Sequence, residues 1–73
     1  MIRLRLKEVL QEKKVNQSKL SRLSDVSLNT IQAMCRNPYH DPALSTLGRI
    51  AKALKVDIGE LYEVLPDEED GDR

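Results

Sequence analysis

Cys35, His40 and Asp41 are the side chains whose types could together form a nucleophile with its base, or share a metal ion. Their number decides against both. One cysteine and one histidine are too few for a structural zinc centre, and nothing supplies an oriented triad. No glycine-rich, phosphate-cradling loop occurs either. Cys35 therefore reads as a small, partly buried residue at a helix end and His40 as a loop side chain. No catalytic set, metal or cofactor is expected, and no small-molecule effector is inferable from the sequence.

Charge is the other chemistry available. The chain has 12 basic and 12 acidic residues, a net charge of zero, but they are divided unevenly. Residues 1–37 carry eight bases (Arg3, Arg5, Lys7, Lys13, Lys14, Lys19, Arg22, Arg36) against three acids, and residues 38–73 carry four bases against nine acids. Five of those nine acids lie in residues 66–73. Without that tail the body is basic by +4, enough to attract a polyanion without requiring one.

A chain of 73 residues builds one small core with a thin stability margin, which a partner would widen. A lone cysteine forms no intrachain disulfide, and no apolar run suits a membrane span or signal core, so no membrane partner and a cytoplasmic location are expected. Ile2, Leu4 and Leu6 alternate with bases, as in a short strand whose leucines turn inward, unless these residues simply extend the first helix. The segment 62–65, closed by Pro66, is the best partner strand.

Between these ends the period becomes helical. Leu6, Val9 and Leu10 define a helix stopping near Lys14. Asn16 caps a second, with Leu20 and Leu23 inward, extending to about Ser24. Only Asp25 and Val26 separate it from Ser27, the cap of a third helix that buries Ile31 and Met34. Asp25 falls where the joint needs a left-handed backbone, and Val26 would plug the angle between the helices. After the breaker cluster 37–42, Asp41 can cap and Pro42 begin a fourth helix with Leu44, Leu47, Ile50, Ala51 and Leu54 inward and Gly48 as a weak or closely packed point. Asp57 and Glu60 form an Asp-led capping box for a fifth, short helix. Residues 1–65 thus make one all-α domain of five helices, with a short two-stranded sheet joining the termini, and residues 66–73 an acidic, disordered tail.

Two amphipathic helices joined by two residues form a helix-turn-helix, which can brace one helix for a major groove but also occurs in proteins that never touch DNA. Gln17, Leu20, Val26-Ser27, Thr30-Ile31, the run from Leu44 to Leu54, and Val56, Ile58 and Leu61 carry the comparison further. Residues 6 to 65 resemble the Cro/repressor-type (xenobiotic-response-element) helix-turn-helix domain, especially its small stand-alone bacterial and phage members.

The resemblance implies a lambda-repressor-like bundle and a transcriptional regulator of double-stranded DNA whose recognition helix, residues 27–35, lies in the major groove. Ser27, Leu28, Asn29, Gln32 and Ala33 then form the base-reading edge. Asn29 and Gln32 have the amide pair that grips adenine, and Leu28 and Ala33 can pack on thymine methyls, so an A·T-containing half-site is expected. Phosphate contacts fall to Gln17, Lys19, Arg22, Thr30, Arg36 and Asn37, with helix-start amides as additional donors. Tyr39 and His40 occupy the loop that in relatives lies near the backbone or the dimer contact. Lys14 and Asp25 stand where glycines are common, Ser21 replaces an alanine and Ala43 a capping serine.

One reading helix covers little surface, so a homodimer on two half-sites is expected. Its first-choice surface is the terminal sheet, with Ile2, Leu4, Tyr62, Val64 and Leu65; the last helix with the Tyr39-His40 loop is second. The alternative function is a protein-interaction module, an adaptor or antitoxin-like partner on the same fold, for which no salt-sensitive DNA binding is expected. RNA binding is disfavoured because only Tyr39 and Tyr62 can stack on bases.

Overall fold

In the computed structural model, which describes residues 1–66, the chain runs β1 (Ile2–Leu4), α1 (Leu6–Lys13), α2 (Gln17–Ser24), α3 (Leu28–Arg36), α4 (Leu44–Leu54), a single 3-10 turn (Ile58–Leu61) and β2 (Tyr62–Val64). The acidic tail expected from Asp67 onward lies outside the described residues. The bundle is all-α with four helices and a small antiparallel sheet. The expected fifth helix is a correction. Pairing with β1 begins at Tyr62, which leaves four residues for the segment before it, and so short a piece takes the tighter 3-10 form. Its start follows the expected capping chemistry: the Glu60 carboxylate accepts from the Asp57 amide at 3.0 Å.

The sheet joins the two ends of the fold in the register Ile2↔Val64, Arg3↔Glu63, Leu4↔Tyr62. Leu4 and Leu6 turn inward as the alternation required, but Ile2 is 57% exposed, because the core beneath the sheet ends before its position. Leu6, Leu20, Ile31, Met34, Ile50 and Leu61, one or two from each helix and the 3-10 turn, are the fully buried centre. Loss of any of these side chains would cost about 2–5 kcal/mol, a large share of the stability of so small a domain.

Helix ends explain the tight connections. α1, α2 and α4 each stop at a left-handed residue, Lys14 (φ 57°), Asp25 (φ 60°) and Lys55 (φ 58°). These positions favour glycine, so each side chain here adds local strain. Asn16 caps α2 through its side-chain oxygen, 2.7 Å from the Lys19 amide, and Ser27 caps α3 at 3.2 Å from the Thr30 amide.

Two inward assignments, and one cap, differ from the sequence pattern. Leu23 is 55% exposed: the buried line of α2 runs through Leu20 and Ser24, four apart, which leaves Leu23 on the shoulder. Leu44 is 72% exposed because it begins α4 one turn before the buried stripe starts at Leu47. The α4 cap position is Ala43, with no side-chain cap, so Asp41 does not cap and Pro42 precedes the helix. A Cβ built on Gly48 would meet nothing within 4 Å, so no close packing demands glycine there.

Candidate nucleic-acid interface

The joint between α2 and α3 is held by groups the hydrophobic pattern does not reveal. Ser21 Oγ donates to the Val26 carbonyl at 2.6 Å. Ser24 Oγ donates to the Leu20 carbonyl at 2.7 Å and accepts from the Val26 amide at 3.3 Å. Val26 is thereby fixed on both backbone sides while its side chain is buried, and α3 leaves the turn in one direction.

With Ile31 and Met34 buried beneath it, α3 turns the opposite edge outward. Ser27 and Asn29 are exposed, and Leu28, Gln32 and Ala33 are half-exposed. Gln17 at the start of α2 lines an open cleft with Leu28 and Gln32, and a second with Gln32 and Arg36. The structure thus brings together two amides, a guanidinium and a leucine from two helices. Lys19, Arg22 and Arg36 are exposed, but Lys19 and Arg22 line neither of these clefts. Thr30 Oγ1 lies 2.8 Å from Ser27 Oγ, so both hydroxyls are partly engaged in the cap. Asn37 is exposed, and its Oδ1 accepts from the Tyr39 amide at 3.1 Å, which shapes the following loop.

Two bases that the sequence did not single out complete the clefts. Lys7 of α1 lines both, and Lys14 lines the first. The sequence signal was only the basic bias of residues 1–37; α1 lies far from α3 in the chain, and only packing places it beside the reading edge. Cys35 lines the same clefts. Its burial pushes the thiol up, against a smaller opposite pull from Lys7, so it stays protonated and is a weak nucleophile. Among the described residues no group of three or more His, Cys, Asp or Glu could hold a metal, and no helix is long and apolar enough to cross a membrane.

Of the residues suggested for self-association, Ile2 and Val64 are exposed, Tyr62 and Leu65 half-buried, and Leu4 is buried at 3%. Leu4 is therefore a core residue and not a contact surface, because its side chain fills the space between the sheet and the helices.

This arrangement of a braced second helix and an outward third is that of a known class. Residues 5–67 match the family model of the Cro/C1-type HTH DNA-binding domain, and the chain belongs to that family. It is also similar to a solved structure from Bacteroides fragilis described as a "putative DNA-binding protein", with 35% sequence identity, a TM-score of 0.75, and coverage of 86% of this chain and 100% of that one. No curated protein matches the chain.

Proposed function

We propose that the chain is a cytoplasmic, non-enzymatic transcriptional regulator that binds double-stranded DNA with sequence preference, residues 1–65 forming the binding domain. Ser27, Leu28, Asn29, Gln32 and Ala33 read base edges in the major groove, and Gln17, Lys19, Arg22, Thr30, Arg36 and Asn37 hold the phosphates. Lys7 and Lys14 extend that phosphate wall, and the uncapped start of α4 offers backbone amides to it. The protein acts as a homodimer on half-sites about one helical turn apart.

The observation that carries this reading is the outward edge of α3, with Asn29 and Gln32 on its surface, Gln32 beside Gln17, and with Ile31 and Met34 buried behind. A helix merely covering the core would need no such amide row flanked by bases on two other helices. Selection from random duplex DNA at two salt concentrations tests it. Enrichment of a palindrome with A·T-containing half-sites is expected; recovery of unrelated sequences would favour a protein partner instead.

A further inference from the structure

Two clefts open on opposite sides of the terminal sheet, because successive strand residues face opposite ways. Ile2 and Tyr62 border an apolar groove, which holds Asp41 but no lysine or arginine. Arg3 borders the other cleft, together with Lys7 of α1 and Arg36 of α3. Lys7 and Arg36 also border the cleft of Gln17 and Gln32, so this side of the sheet leads directly to the reading edge. Its three cations differ in what holds them. Arg3 is bound by Glu8 at 3.1 Å and Glu63 at 3.0 Å, which engages the cleft's own carboxylate. Lys7 and Arg36 are exposed and form no ion pair among the described residues.

The chain leaves the sheet close to these two cations. The Leu65 amide donates to the Met1 carbonyl at 2.8 Å, which puts Pro66 near the start of β1. Arg3 lies two strand residues from Met1, roughly 7 Å away. Residues 67–73 are Asp-Glu-Glu-Asp-Gly-Asp-Arg, five acids and one base, and a segment of that length spans up to about 23 Å. Lys7 and Arg36 come within its reach. Lys14, a further ~10 Å along α1, falls at or beyond the limit.

We propose that residues 67–73 dock on the cleft of Lys7 and Arg36 as an internal stand-in for DNA phosphate, competing with duplex for the same two cations. Charge complementarity selects this cleft over the apolar groove, where Asp41 would repel the acids and no lysine or arginine would receive them. Each exposed carboxylate–cation pair is weak in water, but the tether keeps the acids at a high local concentration. Only phosphate-holding groups are covered, so affinity falls by the same factor for every duplex and base preference is unchanged. Pairs closed within the protein also leave fewer cations to release DNA counterions, which makes the salt dependence of binding shallower. The competition rests on the phosphate contacts proposed above; the docking does not.

Two measurements on the full chain test this. In the first, Asp72→Cys in a Cys35→Ser background carries a nitroxide label, and thermal melts confirm folding. Without DNA and at low salt, the label should broaden the nuclear magnetic resonance signals of Lys7 and Arg36, and the broadening should vanish at about 0.5 M salt and on adding duplex. In the second, the tail is neutralised by Asp67→Asn, Glu68→Gln, Glu69→Gln, Asp70→Asn and Asp72→Asn together. That variant should bind random and selected duplexes about threefold to tenfold more tightly at low salt, with a steeper salt dependence. Broadening centred on Arg49, Lys52 and Lys55 of α4, no broadening at all, or docking that persists on bound duplex would overturn the proposal; so would an affinity gain without docking, which is plain repulsion between tail and DNA. Docking in a protein that binds no duplex would instead sink the function proposed above and leave the docked tail standing.

Discussion

The Ser21 hydroxyl reaches across the helix-turn-helix joint to donate to the Val26 carbonyl at 2.6 Å. That bond ties the body of α2 to the residue just before the α3 cap. Together with the Ser24 contacts, it makes the direction of α3 a property of the turn as well as of the core.

Ser21→Ala leaves the partly buried Val26 carbonyl without this donor and should lower stability by about 1 kcal/mol. Ser24→Ala, at a more buried site that serves two backbone groups, should cost more, about 1–3 kcal/mol. Denaturant unfolding of both variants checks the order; equal stability to wild type would show that the hydroxyls do not hold the turn.

Gly48→Ala should stabilise the domain by up to about 1 kcal/mol, because open space surrounds the new methyl and alanine is the better helix former. A lowered melting temperature would mean that the position is closely packed after all.

Asp25→Gly should relieve the strain of a left-handed aspartate (φ 60°) and stabilise by about 1 kcal/mol. It also removes an anion beside the reading unit, so DNA affinity should rise, most at low salt. Asp25→Asn, which loses the charge while keeping a side chain, separates the two effects: it should share the affinity gain and only part of the stability gain.

Arg3 bridges Glu8 at 3.1 Å and Glu63 at 3.0 Å. Burial alone would raise the Glu8 carboxyl, but its own backbone amide and Arg3 outweigh it and leave it below the usual range. A depressed carboxyl contributes stability above its unfolded value, and that contribution is lost as pH falls through the folded one. Acid titration of stability should therefore show a modest, salt-sensitive loss that Glu8→Gln abolishes; an unchanged acid limb in that variant would contradict the assignment.

Much of this molecule was legible in its residues. Local signals placed the helices: Asn16 and Ser27 cap where they were expected, and Asp25 takes the left-handed turn. The apolar period misleads in two ways. Leu44 and Ile2 follow it, yet a core this small ends before it reaches them, whereas Leu23 falls on the shoulder of α2, whose buried line runs through Leu20 and Ser24. The edge of α3 is outward as the family resemblance implied, whereas Lys7 and Lys14 escaped because their place beside Gln32 and Gln17 arises from packing between α1, α2 and α3. Likewise, serine hydroxyls carry no period, so the pinning of Val26 could not be read from spacing.

The most direct test of the account is to observe which protons of isotope-labelled protein approach those of a selected duplex. Intermolecular nuclear Overhauser effects from the Asn29 and Gln32 side-chain amides to major-groove base protons are predicted, and they should disappear on scrambled DNA while backbone shifts near Gln17 persist. Contacts confined to the terminal sheet, or none from α3, would contradict it.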